Sequence, residues 1–308
     1  MKASKKIFAV IAILLIGLLV LAGCRSQNNS SGSSGNSNQK QSQEQSNSKS
    51  NSNVSGTLTI AGSTALQPLV EQAANQFMSK NPSAQITVQG GGSGKGLSMV
   101  ADGSVNIGDS DIFAEEKLDA NTAKQLVDHK VAVVGFATVV NPKITVDNLT
   151  KQQLIDIFTG KIKNWKEVGG PDQKVVVINR PTSSGTRATF KKYALDGKEE
   201  AQGLALTEDS SGAVRKAVAD TPGAISYLAL SYVDNSVKAL KLDGVEPTVE
   251  NITSGKYPIW SYEHMYTKGE PTGLAKAFLD YMMSSEVTPL VKQMGYIPIS
   301  DMKVSRDK

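Results

Sequence analysis

The segment from Asn179 to Phe190 reads Asn-Arg-Pro-Thr-Ser-Ser-Gly-Thr-Arg-Ala-Thr-Phe, with two arginines flanking a run of hydroxyls and a glycine. It follows the apolar, strand-like run Lys174–Ile178, and the residues after it, Ala188–Ala194, read as a helix. Small hydroxyl residues, a glycine and guanidinium groups therefore sit at a helix start. Such a start offers unpaired backbone N–H groups and a partial positive charge, which suits an oxyanion. Arginine adds a planar fork matched to phosphate or carboxylate oxygens.

The same device occurs twice more. Gly56–Ala61 alternates like a strand, ends at Gly62-Ser63-Thr64, and gives way to a helical period at Leu66, Leu69, Val70, Ala73 and Phe77. Pro68 falls in the first turn, where a missing N–H costs little, and Ser63 or Thr64 is a candidate N-cap. Gln85–Gln89 is a second strand, followed by the glycine loop Gly90–Gly96 with Ser93 inside it, then by the helical Leu97–Ala101. One such junction is an ordinary N-cap. Three of them, one carrying two arginines, point to a shared oxyanion site, because helix starts lie at the carboxyl ends of strands and converge on one crevice. The opposite charge comes from Val105–Phe113, where Asp109 and Asp111 share a face of an extended chain and Ser110 points away. A carboxylate there is either a solvated turn or an acceptor for a proton carried by the oxyanion.

Further elements must position these residues. Lys130–Val140 is a long apolar run before Asn141-Pro142 and reads as a buried strand crossing between domains. Leu149–Phe158 reads as a helix closed by Gly160, Gly212–Val218 as a helix and Gly223–Leu228 as a strand. Tyr257–Tyr266 is extended and aromatic, a second crossover, and Gly273–Met283 is a closing helix. Trp165 reads as a packing residue, His129, after a helical stretch, as a surface or C-terminal helix residue, and His264 as packing within the aromatic strand. Alternating strands and helices argue an α/β fold with mostly parallel sheets. Two crossovers make the first domain discontinuous: residues 56–138 plus 262–308, with 139–261 as the second domain.

The amino terminus belongs to processing rather than to the fold. Lys2, Lys5 and Lys6 precede the apolar run Ile7–Ala22, the layout of a secretory signal, which ends at Leu21-Ala-Gly-Cys24. Cys24 is the chain's 1 cysteine, which excludes an intrachain disulfide and a cysteine metal cluster. Residues 24–55 are dominated by Ser, Asn, Gln and Gly and read as a flexible tether. Removing residues 1–23, with three lysines and no acid, would bring the formal charge of +4 to about +1, and no Lys/Arg run supports nucleic-acid binding. Enzyme motifs fail on spacing. A P-loop would need glycine at Gln89 and Ser/Thr at Gly96, a dinucleotide loop would need glycine at Lys95 or Leu97, and no serine lies in G-x-S-x-G. No cofactor and no metal are expected.

Taken together, Ala61–Pro68, Gly90–Gly94, Ile107–Asp111, Ile157–Trp165 and Arg180–Thr186 make the chain resemble the periplasmic phosphate-binding proteins of ABC transporters, in their Gram-positive lipoprotein form. The resemblance covers about residues 56–300, and Leu21–Cys24 resembles the lipobox. It implies a two-lobed periplasmic-binding-protein-like fold of type II, with two crossover strands and a ligand cleft between the lobes. It also implies cleavage before Cys24 and acylation of that residue, palmitate included, with the protein held on the outer face of the cell membrane. Carried over motif by motif, Thr64 and the backbone N–H of Ala65, Ser93, Arg180, Ser184, Gly185 and Thr186 would donate to phosphate. Asp111 would be the acceptor, and Arg187 is a secondary candidate. The implied protein is a monomeric, non-enzymatic receptor that hands inorganic phosphate to the permease and ATPase subunits of an importer. The other readings are an enzyme acting on a phosphate ester and a surface sensor or adhesin, each using the same oxyanion site.

Overall fold

A computed structural model describes residues 54–201 and 205–307. The expected signal segment, Cys24 and nearly all of the expected tether lie outside the described residues. Of that tether, Val54 is described and packs against the core.

Strand β1 (Gly56–Gly62), helix α1 (Gln67–Lys80), β2 (Ala84–Gln89), α2 (Ser93–Asp102) and β3 (Ile107–Ser110) open the fold. The short α3 (Ala120–Ala123) leads into the long β4 (Leu126–Val140). There follow β5 (Asn148–Leu149), α4 (Lys151–Phe158), β6 (Val176–Asn179), α5 (Gly185–Ala194), β7 (Ala205–Thr207), α6 (Ser211–Asp220) and β8 (Ala224–Ala229). Then come β9 (Lys238–Ala239), β10 (Lys241–Leu242), α7 (Val249–Thr253), the second long strand β11 (Trp260–Lys268), α8 (Gly273–Met282) and α9 (Thr288–Gln293).

The main sheet runs β2-β1-β3-β11-β4-β8-β6-β7, with β9 beside β4. β1 is parallel to β2 and β3, and β6 is parallel to β7 and β8, so within each half the strand ends that feed helices point the same way. The two long strands depart from the parallel expectation. β11 is antiparallel to both β3 and β4, and β4 is antiparallel to β8. The physical reason is that one crossover carries the chain into the second half and the other brings it back. β4 pairs with β11 from Leu126 to Gly135 and with β8 from Phe136 to Val140. The result is a mixed α/β fold around a central sheet.

β4 begins before the apolar run that announced it, and this corrects the reading of His129. That residue lies inside a strand and not at the end of a helix; it pairs with Met265 in the sheet, its ring nitrogen 3.1 Å from Thr267 Oγ1. His264 packs as expected: it is buried, its ring lies 5.5 Å from that of Tyr266 at 17°, and its Nδ1 is 2.8 Å from Asp128 Oδ1. Trp165 is wholly buried and its indole N–H donates to Gly223 O at 2.9 Å, the arrangement a buried indole requires. Beneath α5, the Phe190 ring stacks on Tyr227 at 4.3 Å and meets Phe158 at 5.1 Å, which anchors the helix whose first turn enters the site. Among the described residues, no helix is long and apolar enough to cross a membrane.

Candidate functional site

The turn after β1 divides the work between two adjacent hydroxyls. Ser63 Oγ accepts the N–H groups of Ala65 and Leu66 at 3.0 and 3.1 Å and donates to Asp111 Oδ1. Ser63 thus caps this turn, but neither it nor Thr64 is the expected N-cap of the helix: α1 starts later, at Gln67, with Leu66 in the N-cap position and no side-chain cap, because three turn residues intervene. Thr64 Oγ1 faces the opposite half, where it accepts from the Ser211 N–H and from Arg180 Nη2, both at 3.2 Å, and lies 3.1 Å from Ser211 Oγ. Two tyrosines hold the turn from behind, Tyr232 OH donating to Thr64 O at 2.9 Å and Tyr296 OH to Ala65 O.

The glycine loop brings the second helix start against the third. Ser93 opens α2 and its Oγ accepts the Asp111 N–H at 2.9 Å. Gly92 has φ 91°, a conformation that L side chains rarely adopt, and the Gly94 N–H donates to Ser183 O at 2.9 Å. Gly185 opens α5 with no room for a side chain, since a Cβ there would lie 2.1 Å from Ser93 Oγ and 3.0 Å from Asp111 Cβ. The two helix starts meet because residue 185 has no side chain. Behind α2, a Cβ on Gly96 would lie 2.6 Å from Ala61 O, so the position that fails the P-loop pattern is small for close helix–strand packing.

Asp111 ties both halves together. Besides Ser63, it receives Thr186 Oγ1 on Oδ2 at 2.9 Å, a hydrogen bond from the first turn of α5. Arg180 faces it from the end of β6. Its side chain is 1% exposed, and Nη2 donates to Thr64 Oγ1 and to Asp209 O at 3.2 and 3.3 Å. Nε and Nη1 are buried and meet no protein acceptor. Burial lowers the pKa of Arg180, with Tyr227, Asp111 and Asp209 acting in the other direction, yet a guanidinium stays charged in a protein. A buried cation with two unmatched donors is costly unless an anion meets them.

The site residues read from the sequence divide by what they do. Thr64, Ser93, Asp111, Arg180, Gly185 and Thr186 come together in one buried cluster linked by the contacts above. The Ala65 N–H belongs to the Ser63 cap, and Ser184 Oγ caps α5 by accepting the Arg187 N–H at 3.2 Å. Arg187 is engaged elsewhere: Nη1 donates to Arg180 O at 2.7 Å and Nε lies 3.2 Å from Glu200 Oε2. It props the backbone that presents Arg180.

Several members of the cluster escaped sequence reasoning. Ser211 and Asp209 come from a fourth strand–serine–helix junction, β7 to α6, in which Ser210 accepts the Ala213 N–H as cap. The signal was present in Asp209-Ser-Ser-Gly212, though no arginine or glycine loop marked it. Two further carboxyls, Asp109, which the sequence offered beside Asp111, and Glu263, which it did not, are buried at 1% and 0% exposure with all four oxygens lacking a donor. Burial, then the neighbouring Asp111, pushes the pKa of Asp109 well above the usual carboxylate range. Among the described residues no group of His, Cys, Asp and Glu is arranged to hold a metal ion. The arrangement offers one fixed cation, hydroxyls, first-turn N–H groups from α2 and α5, and one hydroxyl-bonded carboxylate. That set suits a small oxyanion which itself carries a proton.

Comparison with known proteins agrees with this geometry. Residues 47–286 match the model of a PBP superfamily domain. The chain is 61% identical over 255 residues to the phosphate-binding protein PstS of Bacillus subtilis (strain 168), covering 82% of this chain and 84% of that one. A Clostridium perfringens structure described as a phosphate ABC transporter substrate-binding protein with bound phosphate superposes with a TM-score of 0.74 at 34% identity, covering 79% of this chain and 99% of its own. An ABC-type phosphate transport receptor from Vibrio cholerae gives 0.64 at 31% identity, with 78% and 99% covered. The chain belongs to the PBP superfamily and, within it, to the family of the phosphate-binding proteins PstS.

Proposed function

We propose that the chain is an extracytoplasmic receptor, not an enzyme, that binds inorganic phosphate and delivers it to the permease and ATPase subunits of an ABC importer. The observation that carries this reading is Arg180, a buried guanidinium with two unmatched N–H groups, set among helix starts and opposed by Asp111. In this reading Thr64, Ser93, Arg180 and Thr186 donate to the phosphate oxygens through side chains. The N–H groups of Ala65, Gly185 and Thr186 join them as the caps rearrange around the anion. Asp111 accepts the phosphate proton. Ser184 shapes the α5 start, and Arg187 supports Arg180 from outside the cluster.

Residues 56–138 plus 262–308 form one lobe and 139–261 the other, with β4 and β11 as the crossovers. The change of partner along β4 supports that division. The hydrogen bonds from Thr64 to Ser211 and from Thr186 to Asp111 then latch one lobe against the other. Cleavage before Cys24 and acylation of its thiol and new amino terminus anchor a monomer to the outer face of the cell membrane. Two or more acyl chains at about 0.8 kcal/mol per buried methylene make that attachment stable.

Cells lacking this chain are expected to lose high-affinity phosphate uptake, and the intact gene to restore it. A Cys24→Ala variant is expected to leave the membrane fraction while keeping phosphate binding, as followed by radiolabelled uptake and by fractionation. Normal uptake in the deleted strain, with no other receptor induced, would refute the transport role. A Cys24→Ala protein still held in the membrane fraction would refute the anchor.

A further inference from the structure

Glu263 lies in the aromatic strand β11 and does no packing work that an apolar residue could not do better. The antiparallel register of β11 with β3 sets His264 opposite Ser110 and Met265 opposite Asp109, and Glu263 and Asp111 are the next residues beyond that pairing. Its side chain is fully buried, meets no N–H or O–H donor, and lies within hydrogen-bonding reach of the Asp111 carboxyl. The titratable groups that face it are Asp109 from β3, Asp111 just after that strand and Tyr296 from the segment after α9, while β4 presents Ala132. None of the groups acting on it is a cation.

Two carboxyls in contact, with no donor between them and little water, are compatible only when one carries a proton. Geometry decides which one. Asp111 already uses both carboxyl oxygens as acceptors, for Ser63 Oγ and Thr186 Oγ1. Glu263 has no such donors.

We propose that Glu263 is a positioning residue for phosphate selectivity: it holds a proton at neutral pH and donates it as a hydrogen bond to Asp111. The proposal rests on the phosphate-binding reading above. An ionised Glu263 would add a second negative charge beside Asp111, with no cation among the groups acting on it, at a site that in this reading accepts an anion. A protonated one adds no charge beside Asp111 and offers it a hydrogen bond. Asp111 then accepts the phosphate proton as a hydrogen bond without removing it. In support, burial, then Asp111, then Asp109, raises the pKa of Glu263 well above the ordinary range.

The test compares the wild type with Glu263→Gln and Glu263→Leu. Glutamine keeps the size and a neutral donor; leucine cannot donate. Difference infrared spectra of wild type against each variant at neutral pH, recorded without ligand, are expected to show a protonated-carboxyl band of Glu263, distinct from that of Asp109, that both variants lose. Phosphate affinity at pH 7 should stay within about threefold of wild type in the glutamine variant, with sulfate still excluded, and fall by about tenfold or more in the leucine variant. The opposite pattern overturns the proposal: no protonated-carboxyl band assignable to Glu263, and tenfold tighter phosphate binding in the glutamine variant, as expected on removing a charge beside an anion. Equal affinities in all three proteins overturn it as well. The infrared readout does not depend on the ligand. A wild type that carries the band but fails to bind phosphate would defeat the transport reading and leave the protonation of Glu263 established.

Discussion

Replacing Arg180 by alanine is expected to weaken phosphate binding by two to four decades while leaving the protein folded. Removing one partner of a buried, hydrogen-bonded charge pair costs roughly 3–5 kcal/mol, because the remaining charge is left in a dry site, and each 1.4 kcal/mol is about a factor of ten. The apo fold loses little by comparison. Arg180 donates to Thr64 Oγ1 and Asp209 O, and Thr64 keeps its contacts with Ser211 when the guanidinium is gone. Deleting a desolvated cation also relieves a cost, so the melting temperature should hold or rise. Arg187→Ala is the control. Its side chain serves Glu200 and the Arg180 carbonyl, so it should destabilise the protein and reduce affinity far less. Titration calorimetry on the three proteins checks this. Near wild-type affinity in Arg180→Ala would show that the oxyanion is held elsewhere.

The second large effect is on selectivity. Phosphate near neutral pH still carries a proton, whereas sulfate carries none. Asp111 can accept that proton as a hydrogen bond. Sulfate would place a bare oxygen against the carboxylate, and an unmatched buried contact of that kind costs several kcal/mol, roughly a thousandfold in affinity. Asp111→Asn replaces the carboxylate with an amide that can donate, so sulfate should gain affinity by at least about a hundredfold while phosphate loses some. The structure sharpens this expectation. Asp111 is the member of the acidic pair that receives Ser63 and Thr186, while Asp109 receives no donor and is pushed toward its neutral form. Asp109→Asn should therefore leave the phosphate-to-sulfate ratio close to wild type. Competition of sulfate against labelled phosphate distinguishes the two aspartates. An unchanged ratio in Asp111→Asn would remove Asp111 from the selectivity role.

Much of this site is legible locally, because helix capping is local chemistry. A strand that runs into glycine and serine and then into helical periodicity announces where N–H groups will be exposed, as at Ser93 and Ser184, while the individual roles of Thr64, Ser93 and Thr186 come from the family resemblance and α1 itself starts only at Gln67. The convergence of those tips follows from parallel strands within each half of the sheet. Long-range pairing is what the sequence conceals. Arg180 and Arg187 look equivalent beside the same serines, and Glu200, Tyr227 and the Arg180 carbonyl separate their roles. Glu263 reads as one polar residue in an aromatic crossover, and its meaning depends on a register with β3 that no local pattern encodes. The same is true of β4, whose first residues, Leu126-Val-Asp-His129, lack a continuous apolar run and become strand through pairing with β11. The fourth junction, at Ser210 and Ser211, was open to the same capping logic and lacked only an arginine or a glycine loop to draw attention to it.

Titrating residues 51–308 with phosphate and with sulfate at neutral pH measures the arrangement most directly. Arg180 and the helix tips predict one phosphate bound per chain, and Asp111 predicts that sulfate at about a thousandfold excess fails to displace it. Absence of a phosphate signal, or sulfate competing at a similar concentration, would contradict the assignment of these residues.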